Sequence, residues 1–175
     1  MPDTFVKIAS VTVGSGGAST IEFTGIPSTY TDLCIMLSGR TTANGDNYGQ
    51  IDLSFNGAPS GTSYSWRRLM GNGSTASSAS GSSDNAVDLW QVNGSGSTSS
   101  TFSNSSYYIP NYAGSTNKSV SADGVTENNA TQALATLYAG LWADTSAITS
   151  VRFTVTYGTA FAQHSTAVLY GIKNS

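Results

Sequence analysis

The sequence predicts an all-β fold, an antiparallel two-sheet β-sandwich that is jelly-roll-like, with about nine or ten strands in a single domain over residues 1–175. Short runs that alternate apolar and polar residues recur along the chain, and turn residues separate them. No window shows the i, i+3, i+4, i+7 apolar pattern of an amphipathic helix. Ser, Thr, Asn and Gly supply 82 of the 175 residues, which suits exposed strand faces and turns.

The first half of the chain contains five of the predicted strands, at 4–13, 19–25, 30–39, 48–55 and 62–71. The centre of the run Tyr30–Gly39 is continuously apolar and predicts a strand buried on both faces, with Cys34 as a buried thiol. Asn56-Gly57 predicts a hairpin between the two strands on either side of it. Residues 71–83 are rich in Gly, Ser and Ala and predict a low-complexity loop.

The second half predicts strands at 86–92, 100–110, 132–142, 147–158 and 161–172. The stretch 108–132 has aromatic residues at one end, amides and hydroxyls in its middle, and almost no charge. We expect it to be a long ordered loop packed against another protein, because long connections within compact domains are usually functional. On that interpretation, a chain lacking residues 114–128 would still fold as a monomer.

Composition excludes several classes of function. The net charge is −3 and only 10% of residues are charged. Arg67-Arg68 is the one basic cluster, so a nucleic-acid partner is not expected. No apolar run of about 18 residues is present to span a membrane. The N-terminal residues lack the pattern of a signal peptide, and a single cysteine permits no internal disulfide, so we expect synthesis in a reducing cytoplasm.

The sequence offers few catalytic residues. His164 is the one histidine; it falls within a predicted strand and has no triad motif around it, so a structural role is favoured over that of a general base. Glu22 and Glu127, the latter with Asp123 nearby, form the best candidate acid pair for glycoside hydrolysis. Solvated carboxylates are the favoured interpretation, and no catalytic residue is assigned.

No metal or cofactor site is predicted. One His and one Cys, far apart in sequence, exclude the usual zinc spacings. Asn44–Asn47 together with Asp52 carries oxygen ligands, but it lacks the ligand pattern of a calcium loop. A turn rich in Asn and Gly is therefore favoured over a calcium site.

Large aromatic residues are the remaining candidates for binding. Trp142 ends an apolar strand and is expected in the core, whereas Trp66 precedes two arginines and suits an interface about as well as the core. Trp90 lies on a strand of ambiguous facing. Stacking on sugars is the alternative role for these side chains.

Three quoted segments carry a resemblance over nearly the whole chain: "FVKIASVTVGSGGASTIEFTGIPSTYTDL", "YYIPNYAGSTNKSVSADGVTENNATQA" and "FAQHSTAVLYGI". The chain resembles virion structural proteins of tailed phages, especially phages of aquatic bacteria and cyanobacteria. Similar domains occur in capsid decoration proteins, head fibres and parts of tail fibres. No catalytic motif accompanies the resemblance.

The resemblance implies a non-enzymatic capsid decoration (cement) protein on the outside of the shell, made in the bacterial cytoplasm. Its implied partners are the major capsid protein and itself, as a homotrimer. The alternative is a receptor-binding or glycan-binding module of a head or tail fibre, recognising a host surface glycan; a polysaccharide-degrading enzyme is the least favoured. The residues expected at assembly interfaces are Trp66, Arg67, Arg68, Tyr107, Tyr108, Tyr112, Asn117 and Lys118.

Overall fold

The computed structural model describes residues 4–43, 45–129 and 132–173. Twelve strands lie in these ranges, more than the nine or ten expected. In chain order they are β1 (Phe5–Thr12), β2 (Thr20–Thr24), β3 (Asp32–Ser38), β4 (Tyr48–Phe55), β5 (Tyr64–Gly71), β6 (Ala76–Asp84), β7 (Val87–Asn93), β8 (Asn104–Ile109), β9 (Lys118–Val125), β10 (Ala135–Trp142), β11 (Ser150–Tyr157) and β12 (Thr166–Ile172). Within the described ranges, no helix has the length and apolar character needed to cross a membrane.

The strands form two antiparallel sheets, which confirms the predicted β-sandwich. The large sheet has eight strands in the order β1-β12-β3-β8-β9-β10-β5-β6. The small sheet has four, in the order β2-β11-β4-β7. Only one face of the large sheet can therefore be covered by the small sheet, and its other face is open to solvent or to a partner.

The core lies between the two sheets and follows from the alternation of residues along the strands. Ile35 of the large sheet and Leu53 of the small sheet are fully buried. Tyr107 on β8 packs against Phe153 on β11, with ring centroids 4.9 Å apart. Aromatic pairs at such distances add to the stabilisation from burial.

Strand β3 is buried on one face, not on both as its sequence predicts. Ile35 and its neighbours Leu33 and Leu37 point into the core, but Met36 is 41% exposed on the other face. Cys34 shares that outer face and is half-buried rather than fully buried; burial, with a smaller contribution from Asp123, raises the pKa of its thiol. The run is apolar throughout because its outward-pointing residues, on the outer face of the large sheet, are apolar as well as its core-facing ones.

The stretch expected to be a long loop contains β9, so that expectation is wrong. Lys118–Val125 alternates buried and exposed residues along its whole length. It pairs with β8 on one side and β10 on the other. A chain without residues 114–128 would lose a central strand of the large sheet, and we no longer expect it to fold.

The segment expected to be a Gly/Ser/Ala loop contains β6, the edge strand of the large sheet. The hairpin between β5 and β6 turns at Asn72, whose side-chain oxygen accepts hydrogen bonds from the backbone N–H groups of Ser74 (3.0 Å) and Thr75 (2.8 Å). Small polar residues give a weak strand signal in sequence. The turn at Asn72 compensates, because it positions the second strand of the hairpin beside the first.

Asn56-Gly57 does not form the predicted hairpin, because β4 lies in the small sheet and β5 in the large sheet. The dipeptide instead makes the corner between the sheets. The Asn56 side-chain oxygen accepts hydrogen bonds from the backbone N–H groups of Thr149 (2.8 Å) and Ser150 (3.2 Å), and its amide donates to the Ala147 carbonyl (2.9 Å). Asn56 has a left-handed backbone conformation, with φ of 55°. It therefore fixes the connection that crosses from the small sheet to the large sheet.

Arg40 organises the loop between β7 and β8. Its Nη1 donates to the carbonyls of Thr98 (3.0 Å) and Thr101 (3.1 Å), and its Nη2 donates to those of Ser95 (3.1 Å) and Ser97 (3.0 Å). One planar guanidinium thus satisfies four backbone carbonyls, which the single donor centre of a lysine cannot reproduce.

Replacing Arg40 with Ala is expected to lower the free energy of unfolding by about 1–3 kcal/mol, because several charge-assisted hydrogen bonds are lost from a partly exposed site. Chemical denaturation measures the loss, and hydrogen exchange should speed up at residues 95–101. Lys7→Ala, on an exposed position of β1, is the control. Unchanged exchange in the loop of the Arg40 variant would contradict this assignment.

Candidate functional site

The outer face of the large sheet carries an exposed band of apolar side chains, which we call the apolar strip. Leu137 is 58% exposed and Leu69 is 53% exposed, whereas side chains of this kind are usually among the most buried in soluble proteins. Their backbones are register partners on β10 and β5. The members of the strip are Leu69, Val125, Ala135, Leu137, Ala139 and Leu141.

The strip arises because β10 is apolar on both faces. Tyr138 and Trp142 point into the sandwich and are buried, while Leu137, Ala139 and Leu141 alternate with them and point outward. Neighbouring strands extend the band: Leu69 faces Leu137 from β5, and Val125 faces Ala135 from β9. An open depression of about 410 Å³ lies along this part of the sheet, at the end of the strip that includes Val125.

Polar groups border the strip on both sides. Arg67 lies on β5 as the register partner of Ala139, and Asp123 lies on β9 as the register partner of Leu137. Both are exposed. The Asp123 carboxylate also accepts a hydrogen bond from the Ser106 hydroxyl. An apolar centre with a polar rim is the usual composition of a protein–protein interface.

Four of the eight residues expected at assembly interfaces are instead buried inside the chain. Tyr107 and Tyr112 are completely buried, and Trp66 and Lys118 are 9% and 1% exposed. Tyr112 reaches back through the core, where its hydroxyl donates to the Pro27 carbonyl. These side chains already have partners within the chain, so they are not available to a second protein.

Lys118 is buried at the start of β9, and its ammonium group donates to the Thr116 carbonyl. Burial lowers the pKa of Lys118, and Asp144 partly opposes that effect. Three of the other expected residues, Arg67, Tyr108 and Asn117, are exposed. Tyr108 donates to the Asp32 carboxylate at 2.6 Å, so its hydroxyl is already used.

Arg68, the last of the eight, is half-buried in an aromatic and acidic cluster at the end of the sandwich. Its guanidinium carbon lies 4.3 Å from the Trp90 ring centroid and 5.8 Å from that of Trp66. The indole N–H groups of the two tryptophans donate to Asp84 (from Trp66, 2.8 Å) and Asp88 (from Trp90, 3.2 Å). The cluster fills the space beyond the edge strand β7.

Trp90 has a second partner on its ring. Tyr48 stacks on it with ring centroids 5.2 Å apart and an interplanar angle of 17°. Sugar binding by stacking requires an open aromatic face, whereas Trp66 is buried and the Trp90 ring is packed against Arg68 and Tyr48. The aromatic pair that the glycan-binding alternative depends on is therefore engaged in intramolecular contacts.

The structure does not bring the suggested acid pair together as a reactive site. Glu22 forms an ion pair with Arg152 at 2.7 Å, and Glu127 accepts the backbone N–H groups of Asn128 and Asn129 at 2.9 and 2.7 Å. His164, expected within a strand, is exposed in a turn that precedes β12, with φ of 72°. Each of the two glutamates is therefore engaged in a contact within the chain.

The candidate calcium turn is held by its own neighbours. The Asp46 carboxylate accepts a hydrogen bond from the Tyr157 hydroxyl, and the backbone carbonyl of Asp46 accepts one from the Gly96 N–H at 2.8 Å. Asn44, part of that prediction, lies outside the described residues. Across the ranges that the structure describes, no group of three or more His, Cys, Asp or Glu side chains is placed to hold a metal ion.

A carboxylate pair that the sequence did not reveal lies on β4 and β7. Asp52 and Asp88 are register partners on the outer face of the small sheet. Burial raises the pKa of Asp52 to about 6, with further contributions from Asp88 and Asp84. Burial also raises the pKa of Asp88, although its hydrogen bond from Trp90 and the charge of Arg68 oppose that. Only the strand register, which sequence alone does not give, places these groups together.

No protein-family model matches the chain, and no curated protein sequence matches it. Among solved structures, the chain is similar to a β-fructofuranosidase from Schwanniomyces occidentalis complexed with fructosyl-erythritol, with a TM-score of 0.32 and 11% identity. A single-residue variant of a fructofuranosidase from the same organism, complexed with fructosylnystose, gives a TM-score of 0.27 and 9% identity. Each comparison covers 99% of this chain but 35% of the other, and likenesses this weak carry no functional argument.

Replacing Asp52 with Asn is expected to stabilise the fold at pH 8. The folded-state pKa of about 6 lies above the ordinary value of 3.8, so the folded state binds the proton more tightly. The contribution of protonated Asp52 to the free energy of unfolding is then fully present below pH 3.8 and is lost as the pH rises through about 6. The amide removes that loss, and the gain should be roughly 1–3 kcal/mol at pH 8 and near zero at pH 3.5.

Denaturation of both proteins across this pH range measures the effect. Asp144→Asn is the matched control, because hydrogen bonds from Ser146 lower the pKa of Asp144 and its replacement should give no gain at pH 8. An Asp52 variant with the same pH dependence as the unmodified chain would show that Asp52 is not desolvated.

Proposed function

We propose that the chain is a phage capsid decoration protein, which binds the outside of an assembled shell and stabilises it without catalysis. The observation that carries the proposal is the apolar strip. Contiguous exposed apolar surface is uncommon on soluble monomers and is typical of protein–protein contact sites. The resemblance to virion proteins supplies the assembly in which such a contact would be made.

The physical mechanism is linkage between binding and assembly. A protein that binds the assembled lattice, and not the separate subunits, stabilises the lattice by mass action. The composition favours such a role in waters of varied salinity, because only 10% of the residues are charged. Apolar contacts and hydrogen bonds are less affected by salt than surface ion pairs are.

The receptor-binding alternative has less support from the geometry. It would use open aromatic faces to stack on sugar rings, and Arg68 and Tyr48 both pack on the ring of Trp90. The exposed apolar side chains of the strip are aliphatic and suit a protein surface better than a glycan. We therefore propose the decoration role alone.

The test is the number of copies of this chain per purified virion, measured by quantitative mass spectrometry against the major capsid protein. Hundreds of copies, in a simple ratio to the capsid protein, are expected. A handful of copies would place the chain at a tail or a unique vertex and would overturn the proposal.

A variant with Leu69→Thr and Leu137→Thr should stay folded but be retained on particles at least tenfold less, because its strip becomes polar. Threonine keeps the β propensity of both positions. Phe5→Thr is the matched control, since Phe5 is 56% exposed but lies on β1, at the far edge of the same sheet. Equal retention of the double variant and the control would mean that the strip does not hold the chain on the shell.

A further inference from the structure

We infer that a pocket at one end of the sandwich binds an uncharged sugar residue. The pocket has a volume of about 390 Å³, which lies within the range of about 300–1,000 Å³ that is usual for small-molecule sites. It shares no lining residue with the apolar strip or with the cluster of Trp66 and Trp90. The inference goes beyond the proposed function and does not rest on it.

Two connections that meet at the end of the large sheet form the pocket. One is the corner from β4 to β5, at residues 56–63, and the other follows β10, at residues 143–146. The Ala143 N–H donates to the Ser63 carbonyl at 2.8 Å and joins the two. The side-chain hydrogen bonds of Asn56 anchor the corner to the segment before β11. The walls are therefore preformed, which lowers the cost of ordering them around a ligand.

Three aromatic side chains form the floor of the pocket. Tyr64 and Trp142 are register partners on β5 and β10, and their rings stack with centroids 6.2 Å apart and an interplanar angle of 19°. Phe55 packs against Trp142 with ring centroids 5.6 Å apart. None of the three is more than 6% exposed, so the floor is rigid. It offers an apolar surface to the C–H groups of a sugar ring, without requiring one open ring face.

Hydroxyl and carboxylate groups surround this floor. The Asp144 Oδ1 atom accepts the backbone N–H of Ser146 at 2.7 Å, and hydrogen bonds from Ser146 lower the pKa of Asp144. Asp144 is therefore an ionised acceptor at neutral pH. Ser60 and Ser63 add hydroxyl groups to the lining, and each of these can both donate and accept. The hydroxyls of a sugar also do both, so adjacent ones can bind the carboxylate and a serine together.

The charges beside the pocket favour an uncharged ligand. Hydrogen bonds from Ser146 are the main cause of the lowered pKa of Asp144, and the positive charge of Lys118 adds to it. Lys118 is 1% exposed and is the register partner of Trp142 on β9. The carboxylate therefore already has a cation near it. A cationic ligand would be repelled by Lys118 and an anionic ligand by Asp144, whereas a neutral sugar avoids both costs.

The pocket and the apolar strip use opposite sides of the large sheet. Tyr64 and Trp142 are buried on its inner side, whereas Leu141, next to Trp142 in the chain, is exposed on its outer side. A partner that covers the strip therefore does not need to cover the pocket. One chain could bind a shell and a sugar at the same time.

A titration of the full chain with methyl glycosides tests the inference. The probes are the methyl pyranosides of glucose, galactose, mannose and N-acetylglucosamine, followed by amide chemical shifts at millimolar concentration. At least one probe should give saturating shifts at residues 60–64 and 142–146. Asp144→Ala should weaken that binding about tenfold, because it removes the ionised acceptor. Asp123→Ala is the matched control, since Asp123 is exposed on the outer face of the same sheet, and it should bind like the unmodified chain.

Ser60→Ala provides a second variant at an exposed loop position, and it should give a smaller loss in the same direction. Dispersed amide spectra confirm that each variant is folded. The inference would be overturned if no glycoside shifts the pocket amides, if the aspartate variants bind equally well, or if methylammonium or acetate binds there and the glycosides do not. Copy number on virions reports on the strip, and this titration reports on the pocket, so either proposal can fail while the other stands.

Discussion

The constraint on which the rest of the structure depends is the unequal width of the two sheets. Four strands cannot cover eight, so part of the inner face of β5 and β6 extends beyond β7 and is covered by side chains instead of by a strand. Long side chains fill that space: Arg68 lies between Trp66 and Trp90, and the carboxylates of Asp84 and Asp88 hold the two indoles. The aromatic residues that resemble a binding site are needed there to close the end of the core.

The close approach of β7 to the large sheet requires glycine at inward positions of β9 and β10. A Cβ on Gly140 would lie 2.7 Å from a methyl of Val120 and 3.0 Å from one of Val87, and a Cβ on Gly124 would lie 2.6 Å from the Ser105 hydroxyl. Edge strand β7 therefore packs closely over these strands.

Much of the fold could be predicted from the sequence, because alternation over β2, β4 and β11 reports directly which side chains are buried. Elements without that signal could not: β6 is mostly Ser and Ala, and its pairing depends on the turn at Asn72. Asn56-Gly57 predicted a hairpin because local turn propensity does not indicate which sheet the next strand joins. The strip left a signal in β10, apolar at every position from Ala135 to Trp142 except Thr136, but the choice of outward face depends on tertiary packing.

The proposed function depends on a division of roles between apolar and charged side chains on the outer face of the large sheet. Aliphatic side chains there offer burial without direction, so alone they would hold any apolar surface in many orientations. The charged groups at the border restrict the orientation of a partner. Arg67 and Asp123 can both be paired with opposite charges in only a few orientations, and other orientations are disfavoured because they place like charges opposite each other. Few residues of the chain are charged, and one of each sign lies beside the exposed apolar face of β10, at Arg67 and Asp123. Such an arrangement would limit association to a defined geometry, which the proposed binding to a regular shell requires.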